Sequence, residues 1–123
     1  MSKLFSPITI PTSDGDGLEV RNRAFIAPMC QYSVTARDGI PTDWHLAHLG
    51  SLAQGGFGLV SIEATAVEAR GRISPEDVGL WNENQVETHR RITDFIHSQG
   101  AVAAVQLAHA GGKASTGSGF GGP

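Results

Sequence analysis

One cysteine, Cys30, is all the chain has, so no disulfide can form within it and the reducing cytoplasm is the expected compartment. Positive charge is scarce as well. Nine Lys and Arg stand against 12 Asp and Glu, a net charge of -3, which leaves no broad basic field for nucleic acid. Long apolar stretches are missing too: the longest run, Ala101 to Val105, is about five residues against the roughly 20 that a bilayer-spanning helix needs. The opening Met1-Ser2-Lys3-Leu4-Phe5 has neither the apolar core nor the cleavage pattern of a secretory signal. Neither nucleic acid nor a membrane is therefore an expected partner, and small, uncharged or weakly charged ligands suit the chain better. No disordered or fibrous composition is present, since 40% hydrophobic and 17% charged residues in 123 describe one ordinary domain, able to bury about two-thirds of its unfolded surface.

What is there is an alternation of short apolar runs with amphipathic segments. Leu4 to Ile10 and Leu18 to Arg21 read as extended pieces joined through Thr12 to Gly17, where two Asp-Gly pairs favour a hairpin or loose pair. Ala24 to Ala27 reads as a buried strand cut off by Pro28, which has no N–H to give to a ladder. Asp43 is the expected N-cap of a helix through Trp44 to Gln54, closed by Gly55-Gly56. Leu59 to Glu63 reads as a second strand. Asn82 to Ser98 reads as a second helix, with Val86, Ile92, Phe95 and Ile96 on one face and Gly100 beyond its end. Ala101 to Leu107 is a third apolar strand.

This β, α, β, α, β order predicts parallel strands joined by right-handed crossovers. The strand ends recur at about 37 positions, Ala27 to Ala64, and about 42, Ala64 to Gln106, so eight units need roughly 300 residues, a (β/α)8 size. The pattern thus predicts an α/β fold: the amino-terminal part of a TIM barrel, comprising a hairpin, three strands and two helices, with residues 1–123 as one portion of a single domain. Its third strand would be left with a bare edge, an aggregation hazard unless another polypeptide completes the sheet.

Each strand ends in polar chemistry: Pro28-Met29-Cys30 after the first, Glu63-Ala64-Thr65-Ala66 after the second, Gln106 and His109 to Lys113 at and after the third. Any one alone is readily a turn or a buried cysteine. Three at one end of one sheet point to an active site, because parallel α/β enzymes keep their chemistry there. A soft sulfur and a phenol two residues apart, Cys30 and Tyr32, are its anchor.

In this order and spacing, Asn22-Arg23, Ala27-Pro28-Met29-Cys30-Gln31-Tyr32, Trp44-His45-Leu46-Ala47-His48, Glu63-Ala64-Thr65-Ala66, Gly71-Arg72-Ile73, Gly79-Leu80-Trp81 and Gln106-Leu107-Ala108-His109-Ala110-Gly111 resemble the old yellow enzyme family of flavin-dependent ene-reductases, in its bacterial branch with cysteine at the flavin. Gly112 departs from the pattern, standing where many relatives have arginine before the lysine. The resemblance implies a (β/α)8 barrel with FMN at the carboxyl ends of the strands. Pro28, Met29 and Cys30 would line the ring, the Cys30 sulfur tuning its potential, Ala64 would meet the flavin edge through its backbone, and the Gln106 amide would pair with the pyrimidine portion. Tyr32 would face the substrate. It also implies NADPH or NADH as hydride donor, an alkene activated by a carbonyl or nitro group as substrate, and a homo-oligomer of the complete enzyme. The barrel's carboxyl-terminal remainder would come as a separate chain, carrying the groups that bind the substrate oxygen, donate the proton and meet the FMN phosphate.

Other features read more plainly. His45 and His48, at i, i+3 spacing without a third ligand nearby, are expected to be structural, and no metal is expected. His89 and His97 are expected on a solvated helix face with Arg90, Arg91 and Asp94. Gly117 to Gly122 satisfies G-x-G-x-x-G but neither follows a strand directly nor opens a helix, and Gly112-Lys113-Ala114 lacks the rest of a phosphate loop. Two rivals to the enzyme reading are a noncatalytic α/β binding module or inactive fragment, without FMN, and a redox sensor built on Cys30, which would need a depressed thiol pKa.

Overall fold

A computed structural model describes residues 2–114. A two-stranded antiparallel sheet of β1 (Ile8–Ile10) and β2 (Leu18–Val20) pairs Ile8 with Val20 and Ile10 with Leu18. A parallel three-stranded sheet follows in the order β3 (Phe25–Ile26), β4 (Leu59–Ala66), β5 (Val102–Ala108). The helices α1 (Asp43–Gln54) and α2 (Glu83–Ser98) make the two crossovers. The expected element order is therefore present, and it is a partial α/β unit without a closed barrel.

The helices cover one face of the sheet. On α1 the buried positions His45, Leu49 and Ala53 recur every four residues, one stripe of an amphipathic helix. On α2 they are Gln85, His89, Ile92 and Ile96. Leu49, Ala53, Ile92 and Ile96 meet Val60, Ile62 and Ala101 in one apolar cluster, with Ile26, Leu46, Leu52, Phe57 and Ala103 packed around it. Each large side chain so buried contributes about 1.5–3 kcal/mol. Gly100 ends α2 at φ 77°, the left-handed conformation that glycine adopts without steric cost.

Several boundaries differ from the sequence reading. The Leu4–Ile10 extension begins instead with a 3-10 turn, Lys3–Phe5, in which Ser2 Oγ accepts the Leu4 N–H at 3.3 Å. The first parallel strand is only Phe25–Ile26, and Phe25 is 44% exposed rather than buried, because among the described residues this strand pairs on one side alone. Thr42, not Asp43, caps α1. Asp43 is its first residue, exposed and 2.9 Å from Arg91 of α2. Glu63 to Ala66 do not follow the second strand but belong to it. Asn82 is the N-cap of α2, its side chain accepting the Gln85 N–H at 3.1 Å.

Two side chains on α2 also differ. His89 is buried, not solvated, and its Nε2 lies 3.1 Å from the Gly79 carbonyl; burial lowers its pKa, so the neutral ring donates there. Phe95 stays 39% exposed and lies over Gly50 of α1. Gly111–Lys113 forms a 3-10 turn, and the 117–122 glycine motif lies outside the described residues. No helix among the described residues is long and apolar enough to cross a membrane.

Candidate active site

The carboxyl ends of the three parallel strands come together under the segment that leaves β3. Pro28 is half-buried, Met29 is 51% exposed, and Cys30 and Tyr32 are half-buried. The Cys30 sulfur lies near the Ala64 backbone N–H and the Tyr32 phenol, both of which favour its thiolate. Three of the residues singled out in the sequence thus come together.

A register shift brings in Gln106. Ile62 pairs with Val105 and Ala64 with Gln106, so β4 carries one extra residue, Glu63, across this stretch. Successive strand residues face opposite sides and parallel register partners share one. Without the bulge Ile62 and Ala64 would lie on the same face. With it, Ile62 and Val105 face the helices while Ala64 and Gln106 share the open face. Gln106 is exposed there, and among the described residues its side-chain amide makes no hydrogen bond.

Tyr32 sits at φ 50°, a left-handed conformation that costs a bulky residue on the order of 1–3 kcal/mol. Gln31 is the clamp that holds it. Its N–H donates to Glu63 Oε1 at 3.1 Å, its Nε2 to the Met29 carbonyl at 2.8 Å, and its Oε1 accepts from Trp44 Nε1 at 3.1 Å. The Ser33 hydroxyl donates to the Gln31 carbonyl at 2.9 Å. Every polar group of Gln31 is engaged within its own segment, on β4 or on α1.

Below this segment lies a buried polar layer that sequence reasoning missed. Glu63 is 2% exposed, and its Oε2 is 3.6 Å from Nε2 of His45, itself 1% exposed. His45 Nδ1 accepts the Thr42 N–H at 2.9 Å, so the neutral ring carries its proton on Nε2, which is buried without a hydrogen-bond partner. Asp77, 1% exposed, accepts from the Ile73 N–H at 2.9 Å, the Ser74 N–H at 3.2 Å and the Ser74 hydroxyl at 3.0 Å. Burial nevertheless raises the Asp77 carboxyl. The usable signal was Glu63 itself, a charge inside an apolar strand run. His45 gave another, three residues past a capping threonine and in phase with Leu49 and Ala53.

Burial and these carboxylates act together on the protonation of the site. Burial first, then the charges of Asp77 and Glu63, push the Cys30 thiol up, although the Ala64 N–H and the Tyr32 phenol favour its thiolate. Burial likewise raises the Tyr32 phenol, with Cys30 the next cause. Both groups are neutral at neutral pH. That overturns the redox-sensor reading, which needed a depressed thiol.

The loops beyond β4 and β5 are tied by Glu68, which meets His109 Nε2 at 2.6 Å and Arg70 Nε at 3.0 Å. Arg72 donates to the carbonyls of Ala69, Arg37 and Pro75 at 3.0, 2.7 and 2.9 Å and lies over the Trp81 ring. Among the described residues no three His, Cys, Asp or Glu are grouped to hold a metal ion.

Residues 3–119 match the model of the NADH:flavin oxidoreductase / NADH oxidase family. An NADH:flavin oxidoreductase of Gibberella zeae is 54% identical over 114 residues, 93% of this chain and 26% of that protein. An NADPH dehydrogenase of Listeria welshimeri is 52% identical over 114 residues, 93% of this chain and 32% of the relative. The structure of an old yellow enzyme from Pichia superposes with a TM-score of 0.82 at 26% identity, over 92% of this chain and 28% of that one. The chain thus spans about a quarter to a third of the length of these proteins, and its fold is the corresponding part of their TIM barrel. The family and these relatives imply FMN as cofactor, with NAD(P)H as hydride donor. With a match that runs through both sheets and both helices, the chain belongs to the NADH:flavin oxidoreductase / NADH oxidase family.

Proposed function

We propose that residues 1–123 are the amino-terminal portion of an FMN-dependent ene-reductase domain, and that Pro28, Met29, Cys30, Ala64 and Gln106 form one wall of its flavin site. The observation that carries the reading is the bulge-made pairing of Ala64 with Gln106 beside the Cys30 sulfur. The residues fit the group. Gln106 offers an exposed amide, donor and acceptor together, as the pyrimidine edge requires. Ala64 leaves room beside it, and Pro28, the Met29 thioether and the Cys30 sulfur give a polarizable, uncharged surface for the ring.

When bound, FMN supplies the hydride chemistry, taking hydride from NAD(P)H and passing it to the β-carbon of an alkene conjugated to a carbonyl or nitro group. The chain's own residues bind and tune. Cys30 Sγ keeps its proton, so it adjusts the ring's electronics through polarizability and hydrogen bonding rather than a full charge. Tyr32 Oη keeps its proton too and is assigned to the substrate side. Groups that stabilise charge on the substrate oxygen, donate the proton and hold the phosphate are assigned to later strands. We infer that these complete the barrel, in a cytoplasmic homo-oligomer.

The first test is the visible spectrum of the purified protein together with the intact mass of every polypeptide in it. Flavin bands with the remaining barrel present, and NADPH oxidation that depends on an α,β-unsaturated ketone, are expected. A colourless complete barrel that takes up no added FMN refutes the reading. Flavin with NADPH oxidation indifferent to the alkene leaves the family assignment and removes the ene-reductase activity.

A further inference from the structure

We propose that Glu63 is a positioning residue for the flavin-facing segment, holding Cys30 and Tyr32 in place through the Gln31 N–H, with His45 anchoring the carboxylate from the first turn of α1. The inference rests on the flavin reading above and names a device that serves it.

Three observations carry it. A carboxylate inside an apolar strand is costly to bury unless its oxygens are used, and a hydrophobic residue would serve the core better. Glu63 is nonetheless 2% exposed on the strand that carries Val60 and Ile62. Second, the bulge leaves Glu63 out of the register pairing. Its Oε1 meets the N–H of the one residue that lies between Cys30 and Tyr32, just before the backbone turns to φ 50°. Third, His45 is committed on one side only. Nδ1 accepts the N–H of the N-cap Thr42, and Nε2, buried without a hydrogen-bond partner, is aimed at Glu63 Oε2 from 3.6 Å. A small rotation of either side chain brings that pair into hydrogen-bonding range. The start of α1, the bulge of β4 and the flavin segment then move as one unit.

A carboxylate that only filled space would set stability alone. One that positions Cys30 and Tyr32 also sets the electronics of the bound flavin. The test uses the complete FMN-loaded protein and compares Glu63→Ala, Glu63→Gln and His45→Gln with wild type for FMN affinity, the reduction potential of the bound flavin, and kcat and KM. Glu63→Ala removes the acceptor for the Gln31 N–H and is expected to weaken FMN binding on the order of tenfold, to shift the potential and to lower kcat. Glu63→Gln keeps an acceptor there and is expected to restore affinity and potential to within about twofold of wild type in equilibrium terms. His45→Gln keeps an acceptor for the Thr42 N–H but leaves Glu63 unanchored, so it is expected to shift the potential without loss of the folded state.

A folded Glu63→Ala protein with wild-type potential and kcat overturns the proposal, as does failure of Glu63→Gln to restore them. Should Glu63→Ala not fold, a wild-type potential in His45→Gln overturns it instead. A wild-type barrel that binds no FMN is a different failure, because it removes the flavin reading on which the proposal stands.

Discussion

Arg21 joins both helices to the hairpin, and its removal is the most calculable perturbation of the fold. The residue follows β2, and its guanidinium donates to the carbonyl of Gln99 at 2.7 Å, of Ala53 at 2.9 Å and of Phe57 at 2.8 Å. Ala53 lies in the last turn of α1 and Gln99 is the C-cap of α2. One cation therefore meets the negative ends of two helices, where the macrodipole favours it. A hydrogen bond to a charged group is worth about 1.5–3 kcal/mol net, so three would sum to about 4.5–9. Arg21 is exposed and water competes for two of these bonds, which reduces the expectation for Arg21→Ala to about 2–4 kcal/mol. Arg21→Lys, a point charge without the planar fork, should recover about one contact. Urea unfolding of the complete FMN-loaded protein measures this as a fall in midpoint at unchanged slope. A change below about 0.5 kcal/mol in Arg21→Ala would show that the three carbonyls are equally well served by water, and the argument would be wrong.

Cys30 should alkylate slowly at neutral pH and accelerate only above the ordinary thiol range, and Asp77→Asn should move that rise to lower pH. Acceleration already at pH 7 in the wild type would contradict the raised thiol. The sign for stability follows: the neutral thiol's contribution is complete below the unfolded pKa and is lost as pH rises through the higher folded one. Gln106→Ala should weaken FMN retention by about 1 kcal/mol, roughly fivefold, measured by flavin release on dilution; unchanged release would take Gln106 out of the site. Cys30→Ala should retain FMN with a displaced reduction potential, and an unmoved potential would end its tuning role. Ile96→Ala, at a position with no exposure, should cost about 2–5 kcal/mol in the same urea assay.

Much of the architecture was legible because periodicity and punctuation agree along the chain. The Leu49–Ala53 and Ile92–Ile96 spacings, with Gly55 and Gly100 as stops, located both helices to within about a residue. The strands were harder at their ends, since a short apolar run does not say where its ladder stops. Phe25 reads as core by composition, yet its burial depends on a neighbour that the described residues do not contain. His89 failed for the opposite reason. Its flanking Arg90 and Arg91 suggest a wet face, but it falls four residues after Gln85 and three before Ile92, on the buried stripe. Phase along the helix, not the identity of sequence neighbours, decides exposure.

The site shows the same division between what pattern encodes and what register decides. Cys30, Tyr32, Ala64 and Gln106 could be singled out because they stand at strand ends, where a parallel sheet exposes them. Their coming together could not be read, because it depends on one unpaired residue. A strict two-residue alternation would place Ile62 and Ala64 on one face, so either Ile62 leaves the helix-covered core or Ala64 leaves Gln106. The bulge at Glu63 removes that conflict, and the residue it displaces is the buried carboxylate that grips the Gln31 N–H. A single extra position thus serves the core, aligns Ala64 with Gln106 in the proposed cofactor wall and supplies the clamp for Tyr32. Deleting Glu63 should consequently preserve the pairing of Ile62 with Val105 and of Ala64 with Gln106, and act as Glu63→Ala does, through loss of the clamp. Deletion makes Ile62 and Ala64 consecutive, and alternation places consecutive residues on opposite faces, so both halves of β4 stay where they are and only the carboxylate that holds the Gln31 N–H is lost.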